Sequence, residues 1–173
     1  WYVAAKGGHN AESHNHNDVG SFVVYLDGYP ALIDVGVETY SRKTFSRDRY
    51  DIWTMQSAFH NLPTINGVME KEGKRFRAED VAYESTDAYA QLTQSIAGAF
   101  PESAGIDRWD RSVRMDRVKG VTLTDSFRLE LKARSLTFTF MTPYPATIGD
   151  SSVRISGTPL DEEKQVEFSI AYD

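Results

Sequence analysis

Apolar and polar residues alternate with a period of two through much of the second half of this chain. In "SLTFTFMT" (residues 135–142), Leu136, Phe138 and Phe140 fall on one side of an extended backbone and Thr137 and Thr139 on the other. That is the layout of a half-buried strand. The segments "AYAQLTQSI" (88–96), "RSVRMDRV" (111–118), "VTLTDSFRLEL" (121–131), "SVRIS" (152–156) and "QVEFSIAY" (165–172) are also of strand length, and several alternate in the same way. Nearer the start, "SFVVYLDGYPALIDVG" sets two apolar runs around Asp27-Gly28, a dipeptide suited to the positive φ angles of a tight hairpin. Strands are predicted there at about 21–27 and 30–36. Asn66-Gly67, Glu72-Gly73 and Lys119-Gly120 are further turn signals. No helical period is sustained, and only "SRDRYDIWTMQSAF" (46–59) suggests a short helix. The fold class that follows is all-β, an antiparallel β-sandwich of two packed sheets with little helix.

With 173 residues, 40% of them hydrophobic and 25% charged, the chain has the balance of one folded domain, taken as residues 1–173. A formal charge of −6 argues against broad binding to nucleic acid or an anionic membrane. Cysteine is absent, so disulfides and thiolate metal sites are excluded. No apolar run is long enough to span a bilayer, and "WYVAAKGG" has neither an initiating Met nor a signal-peptide layout. A chain opening in this way is expected to be a piece of a larger protein. The sign-alternating stretches "RWDRSVRMDR" and "EKEGKR" are read as solvated surface.

The densest chemistry is "HNHND", residues 14–18, which follows His9 closely and leaves only His60 elsewhere among the chain's 4 histidines. In an extended segment His14 and His16 would face one cavity, with Asp18 continuing the row; a loop would split them. Imidazole and carboxylate together suit zinc and related ions. Asp34 ends an apolar run where a carboxylate needs a partner, so His16, Asp34 and His60 with a water form a physically reasonable site. An ordinary polar loop would explain the same residues. A second arrangement uses His16, Asp18 and His60 as the two-histidine, one-carboxylate triad of a non-haem iron oxygenase, with Arg75 or Arg77 for a 2-oxo acid. Downstream, Tyr40 lies beside Arg42, Lys43, Arg47 and Arg49, which oppose only Asp48 and could hold an anionic ligand or simply solvate a loop.

Taken together, "GGHNAESHNHNDVGSFVVYLDGYPALIDVGVETY" and "WTMQSAFHNLPTING" resemble the C-terminal domain of the heparinase II/III family of polysaccharide lyases, most specifically over residues 7–67. The resemblance implies a β-sandwich packed against a preceding helical toroid, with an anionic, uronic-acid-containing polysaccharide held between them and cleaved by β-elimination. It implies that His14 faces the substrate and that His16, Asp34 and His60 bind zinc in a mainly structural role. Tyr40 lies near a substrate-contacting tyrosine of some members, and Asp18 would orient a histidine. On this basis His14 and Tyr40 are the candidate catalytic residues, and His9, Arg42, Lys43 and Arg47 the candidates for holding the polymer. The family's tyrosine acid/base and its carboxylate-neutralising residue come from the toroid, which this chain is too short to contain. The chain alone is therefore expected to have little or no lyase activity. A non-catalytic carbohydrate-binding module would share the fold without needing a reactive histidine. Periplasmic or secreted localisation is what the family implies.

Overall fold

A computed structural model describes residues 1–159 and 165–172. The first strands are β1 (Tyr2–Ala5), β2 (His9–Asn10), β3 (Phe22–Leu26), β4 (Tyr29–Leu32), β5 (Pro63–Ile65) and β6 (Gly73–Arg77). They are followed by β7 (Glu79–Ser85), β8 (Tyr89–Ser95), β9 (Ile106–Asp116) and β10 (Gly120–Leu129). The last are β11 (Leu136–Phe138), β12 (Ala146–Ile148), β13 (Ser152–Gly157) and β14 (Val166–Ala171). Sheets of order β10-β9-β8-β7, β1-β3-β4 and β12-β13-β14 are joined by the short pairs β2-β6 and β11-β5. Every pairing is antiparallel.

Val113, Val121 and Leu123 of β9 and β10 pack with Phe22, Val24, Ala31 and Leu32 of β3 and β4 and with Ile155, Val166 and Phe168 of β13 and β14. These layers bury a common apolar interior, so the expected antiparallel sandwich forms, built from several short sheets instead of two continuous ones. A second cluster joins Val19, Leu62, Ile65, Ile96 and Phe100 to Trp109. Val19 closes the histidine loop and Leu62 follows His60 by two positions, so this cluster floors the candidate site.

Asp27 (φ 51°) with Gly28 (φ 86°), and Asn66 (φ 54°) with Gly67 (φ 77°), take the paired positive φ angles of tight hairpins. Lys119 closes the turn between β9 and β10. Glu72-Gly73, by contrast, makes no hairpin: Gly73 (φ 124°) opens β6, where its register with β2 slips.

Other segments also depart from the pattern. The strand predicted at 30–36 ends at Leu32, because Asp34 Oδ1 accepts the Gly36 N–H at 2.7 Å and turns the chain off the sheet. In place of a helix over 46–59 there are single 3-10 turns at Lys43–Phe45, Arg47–Asp51, Trp53–Met55 and Ser57–Phe59. Extended residues Ser46, Ile52 and Gln56 separate them, which prevents an α-helix from propagating. β11 stops at Phe138, and its expected inner face is largely open, with Phe138 40% and Phe140 39% exposed. Leu136 packs against the cluster around Trp109 and Phe138 lies 5.9 Å from Trp109 between ring centres, while the partner backbone beyond Pro63 is irregular.

The "RWDRSVRMDR" run is solvated surface only in part: Arg108 is exposed, but alternate residues are buried. In β9 the period of two turns Trp109, Arg111 and Val113 inward together, with Trp109 0% and Arg111 1% exposed. A sign-alternating run on a strand thus hides a single cation, Arg111, between two inward apolar residues, which charge pattern alone does not reveal.

Gly20 (φ +89°) lets the loop lie flat on the floor, where an added Cβ would come within 2.7 Å of Ile96 Cγ2. Gly20→Ala is predicted to cost about 1–3 kcal/mol through backbone strain and overpacking. An unchanged urea midpoint would refute that close approach.

Candidate metal centre

The histidine loop is pinned at both ends by one buried carboxyl. Glu70 Oε2 accepts from Asn10 Nδ2 at 2.9 Å and from the Val19 N–H at 3.0 Å. Asn10 Oδ1 in turn accepts the Asp18 N–H at 3.3 Å. Glu70 thus departs from the solvated reading of "EKEGKR": it lies under the loop, 5% exposed, with Oε1 buried and without a partner. Burial pushes its carboxyl up to about 8, against smaller lowering effects from Asn10, Val19 and Lys6. A folded value above the ordinary 4.5 means that its stabilising contribution is complete below about 4.5 and is lost as pH rises through about 8. Glu70→Gln, which mimics the protonated form, should remove that slope and stabilise the protein at pH 8 by on the order of a few kcal/mol. Unfolding midpoints measured from pH 5 to 9 check this, and parallel wild-type and variant curves would rule it out.

Between these anchors the loop divides its histidines. His14 adopts φ 60° and is exposed, whereas Asn15 and His16 are buried, each 8% exposed. Arg49 Nη2 donates to the Asn15 carbonyl at 2.9 Å, and the Tyr50 hydroxyl donates to Asn15 Oδ1 at 3.1 Å. The shared row of His14, His16 and Asp18 therefore does not form, because a left-handed residue reverses the direction of successive side chains.

His16 turns instead toward His60, with ring centres 5.2 Å apart. Asp34 completes a group whose ligand atoms all lie within 4.8 Å of one another. His60 is 0% exposed; its Nε2 is 3.1 Å from the Thr54 carbonyl and its Nδ1 3.0 Å from Asp34 Oδ2. A carbonyl only accepts, so Nε2 must carry the proton. A neutral His60 then presents an Nδ1 lone pair to a carboxylate oxygen, a contact that requires a proton or a cation between them. His16 is held below the ordinary imidazole range, first by burial and then by His60, which keeps a lone pair available. Burial raises the Asp34 carboxyl, but a proton on His60 Nδ1, donated to Asp34, together with the Gly36 N–H outweighs it and holds the group below the usual carboxylate range.

Two imidazoles and a carboxylate suit zinc, whose bonds of about 2.0–2.1 Å in a tetrahedral site place ligand atoms roughly 3.3 Å apart. The histidine N–H bonded to a backbone carbonyl is the usual orienting partner of a metal-bound imidazole. The Asp34 side chain is 39% exposed, so the group is open to solvent on that side.

The other candidates fall as follows. Asp18 is ion-paired with Lys6 and orients no histidine by a hydrogen bond among the described residues. That also removes the oxygenase triad, since the carboxylate gathered with His16 and His60 is Asp34. His9 is half-buried in β2, where its Nδ1 accepts the Ala11 N–H at 3.2 Å. Tyr40 is 51% exposed, edge-on to Phe45. Arg42, Lys43 and Arg47 are exposed, and Lys43 pairs with Asp51 at 3.7 Å. None of these four bonds to a histidine among the described residues; their segment reaches the loop through Arg49 and Tyr50. Sequence reading missed three supports: Arg49, drawn onto backbone carbonyls; Thr54, whose carbonyl sets the His60 tautomer; and Glu70. Only tertiary contacts reveal them.

A family model described as "Heparinase II/III-like, C-terminal" matches residues 2–156, well beyond the motif-bearing region. A crystal structure of the heparan sulfate lyase HepC from Pedobacter heparinus superposes with a TM-score of 0.68 at 19% identity, over 88% of this chain and 23% of that one. A mutant of the same lyase gives 0.69 at 20%, over 92% and 24%. A heparinase III gene product with methylated lysines gives 0.63 at 14%, over 99% and 30%. The chain thus spans less than a third of each of these proteins. Comparison with curated proteins finds no match.

Proposed function

Because the chain belongs to the heparinase II/III-like C-terminal family, we propose that it is the sandwich domain of a polysaccharide lyase that cleaves uronic-acid-containing polymers by β-elimination. In that reaction the C5–H bond and the bond from C4 to the leaving oxygen break, a C4–C5 double bond forms, and the leaving oxygen gains a proton. His14 is the proton-handling group this domain contributes at the cleft. A preceding helical domain supplies the groups that neutralise the sugar carboxylate and complete the proton transfer. Tyr40, His9, Arg42, Lys43 and Arg47 contact or attract the anionic polymer.

Zinc, held by His16, Asp34 and His60, ties the histidine loop, the end of β4 and the His60 turn into one rigid cleft wall. The observation that carries this reading is the division of the loop: His14 is turned out to solvent while His16 is turned in to Asp34 and His60.

The full-length protein should generate unsaturated product, read by its ultraviolet absorbance, on heparan sulfate or alginate, and should contain zinc by elemental analysis. The isolated chain should generate little. Strong turnover by the chain alone would defeat the two-domain reading, and iron in place of zinc would defeat the metal assignment. A polymeric substrate is met outside the cytoplasmic membrane, which places the enzyme in the periplasm or the medium. Recovery from the cytosolic fraction alone would contradict that placement.

A further inference from the structure

The three proposed ligands come from separate stretches of chain, so nothing local sets their spacing. Two buried side chains link the backbone beside each of them. Asn61, 1% exposed and next to His60, donates through Nδ2 to the Phe22 carbonyl at 2.6 Å and to the Ile33 carbonyl at 3.1 Å, the latter one residue before Asp34. Its Oδ1 accepts the Met141 N–H at 2.7 Å, and its own N–H donates to Ser21 Oγ at 3.3 Å. Arg111 Nη1 reaches the Asn61 carbonyl at 2.8 Å and the Gly20 carbonyl, at the end of the histidine loop, at 3.1 Å. The rest of its guanidinium is held by Asp125, with Nε to Oδ1 at 2.8 Å and Nη2 to Oδ2 at 2.7 Å. Asp125 Oδ1 also accepts the Trp109 Nε1–H at 2.9 Å.

We infer that Asn61 and Arg111 are positioning residues that set the spacing of His16, Asp34 and His60, an inference resting on the zinc reading above. A buried ion pair gives little net stability over apolar residues of the same volume, so the consequence of this one lies in where its remaining donor points. That donor faces two carbonyls flanking two ligand-bearing segments, and Asn61 extends the link to the third. The rigid sheet strand β9 thereby becomes the common reference for all three, much as partners behind a metal ligand fix its direction.

Zinc affinity, measured by competition with a chromogenic chelator, tests this in Arg111→Lys and Asn61→Ala, at a temperature where circular dichroism shows the metal-free variants folded. Lysine keeps a charge beside Asp125 but lacks the fork that spans Asp125 and both carbonyls. Both variants should bind zinc about 10–100-fold more weakly than the wild type, and their cobalt forms should show altered visible absorption. Ile155→Ala, a lesion in the other core, should lower Tm comparably and keep wild-type affinity. Wild-type affinity and cobalt spectra in Arg111→Lys and Asn61→Ala would overturn the inference while leaving the zinc site standing. Absence of binding by the wild type, or full binding by Asp34→Ala, would overturn the zinc reading and this inference with it. Should one variant not fold, the other decides.

Discussion

His14→Ala in the full-length protein should reduce formation of unsaturated product by about 100-fold or more, the scale of losing one positioned proton-transfer or charge-stabilising group. Stability should stay within about 0.5 kcal/mol of wild type, as for an exposed side chain away from structural contacts, because His14 is exposed and its side chain makes no hydrogen bond among the described residues. Zinc content should also be unchanged, since His14 is not among the three grouped ligands. Asp34→Ala should behave in the opposite order: the ion is lost first, and activity falls because the cleft wall loosens. Turnover retained in His14→Ala, with weakened glycan binding, would instead make this domain a carbohydrate-binding module whose histidine touches sugar without acting on it.

Asp125→Ala should destabilise the protein by about 3–5 kcal/mol, because it strands the Arg111 guanidinium in the interior. The side chains of Arg111 and Asp125 are 1% and 7% exposed, so neither water nor salt replaces the lost partner. Trp109 Nε1 loses its acceptor in the same change. Against a typical domain stability of about 5–15 kcal/mol, this is a large fraction. Asp125→Asn keeps an acceptor and should cost less. Urea unfolding of both variants measures the difference, and a loss under about 1 kcal/mol in Asp125→Ala would show that the guanidinium finds solvent after all. The surface pairs offer a contrast: Lys43–Asp51 and Arg154–Glu167, both well exposed, should be nearly silent on substitution.

The all-β class, most strand positions and the hairpins at Asp27-Gly28 and Asn66-Gly67 were legible in the sequence, because strand period and positive-φ turn residues act over a few neighbouring positions. Residues 46–59 resisted such a reading. Their polar and apolar spacing is compatible with a helix, yet extended residues at Ile52 and Gln56 interrupt it so that the Thr54 carbonyl can face His60. Arg111 was legible in principle, since counting by two from Trp109 along β9 turns it inward, but its charge argued for solvent until Asp125 was seen opposite.

For the site, the sequence by itself determined which residues have the chemistry: imidazoles in the "HNHND" loop and at His60, a carboxylate at Asp34, and cations near Tyr40. The motif also carried the likeness to a lyase domain, because side-chain type is local information. That likeness already implied that His14 faces the substrate and that His16, Asp34 and His60 group together; the tertiary structure turns His14 out and His16 in and gathers Asp34, not Asp18, with the histidines, and it alone shows that Glu70, Asn61 and Arg111 support their segments. Those outcomes depend on one left-handed residue and on contacts between segments far apart in the chain, and the distances that turn donor groups into a site arise only when the packed core brings those segments together.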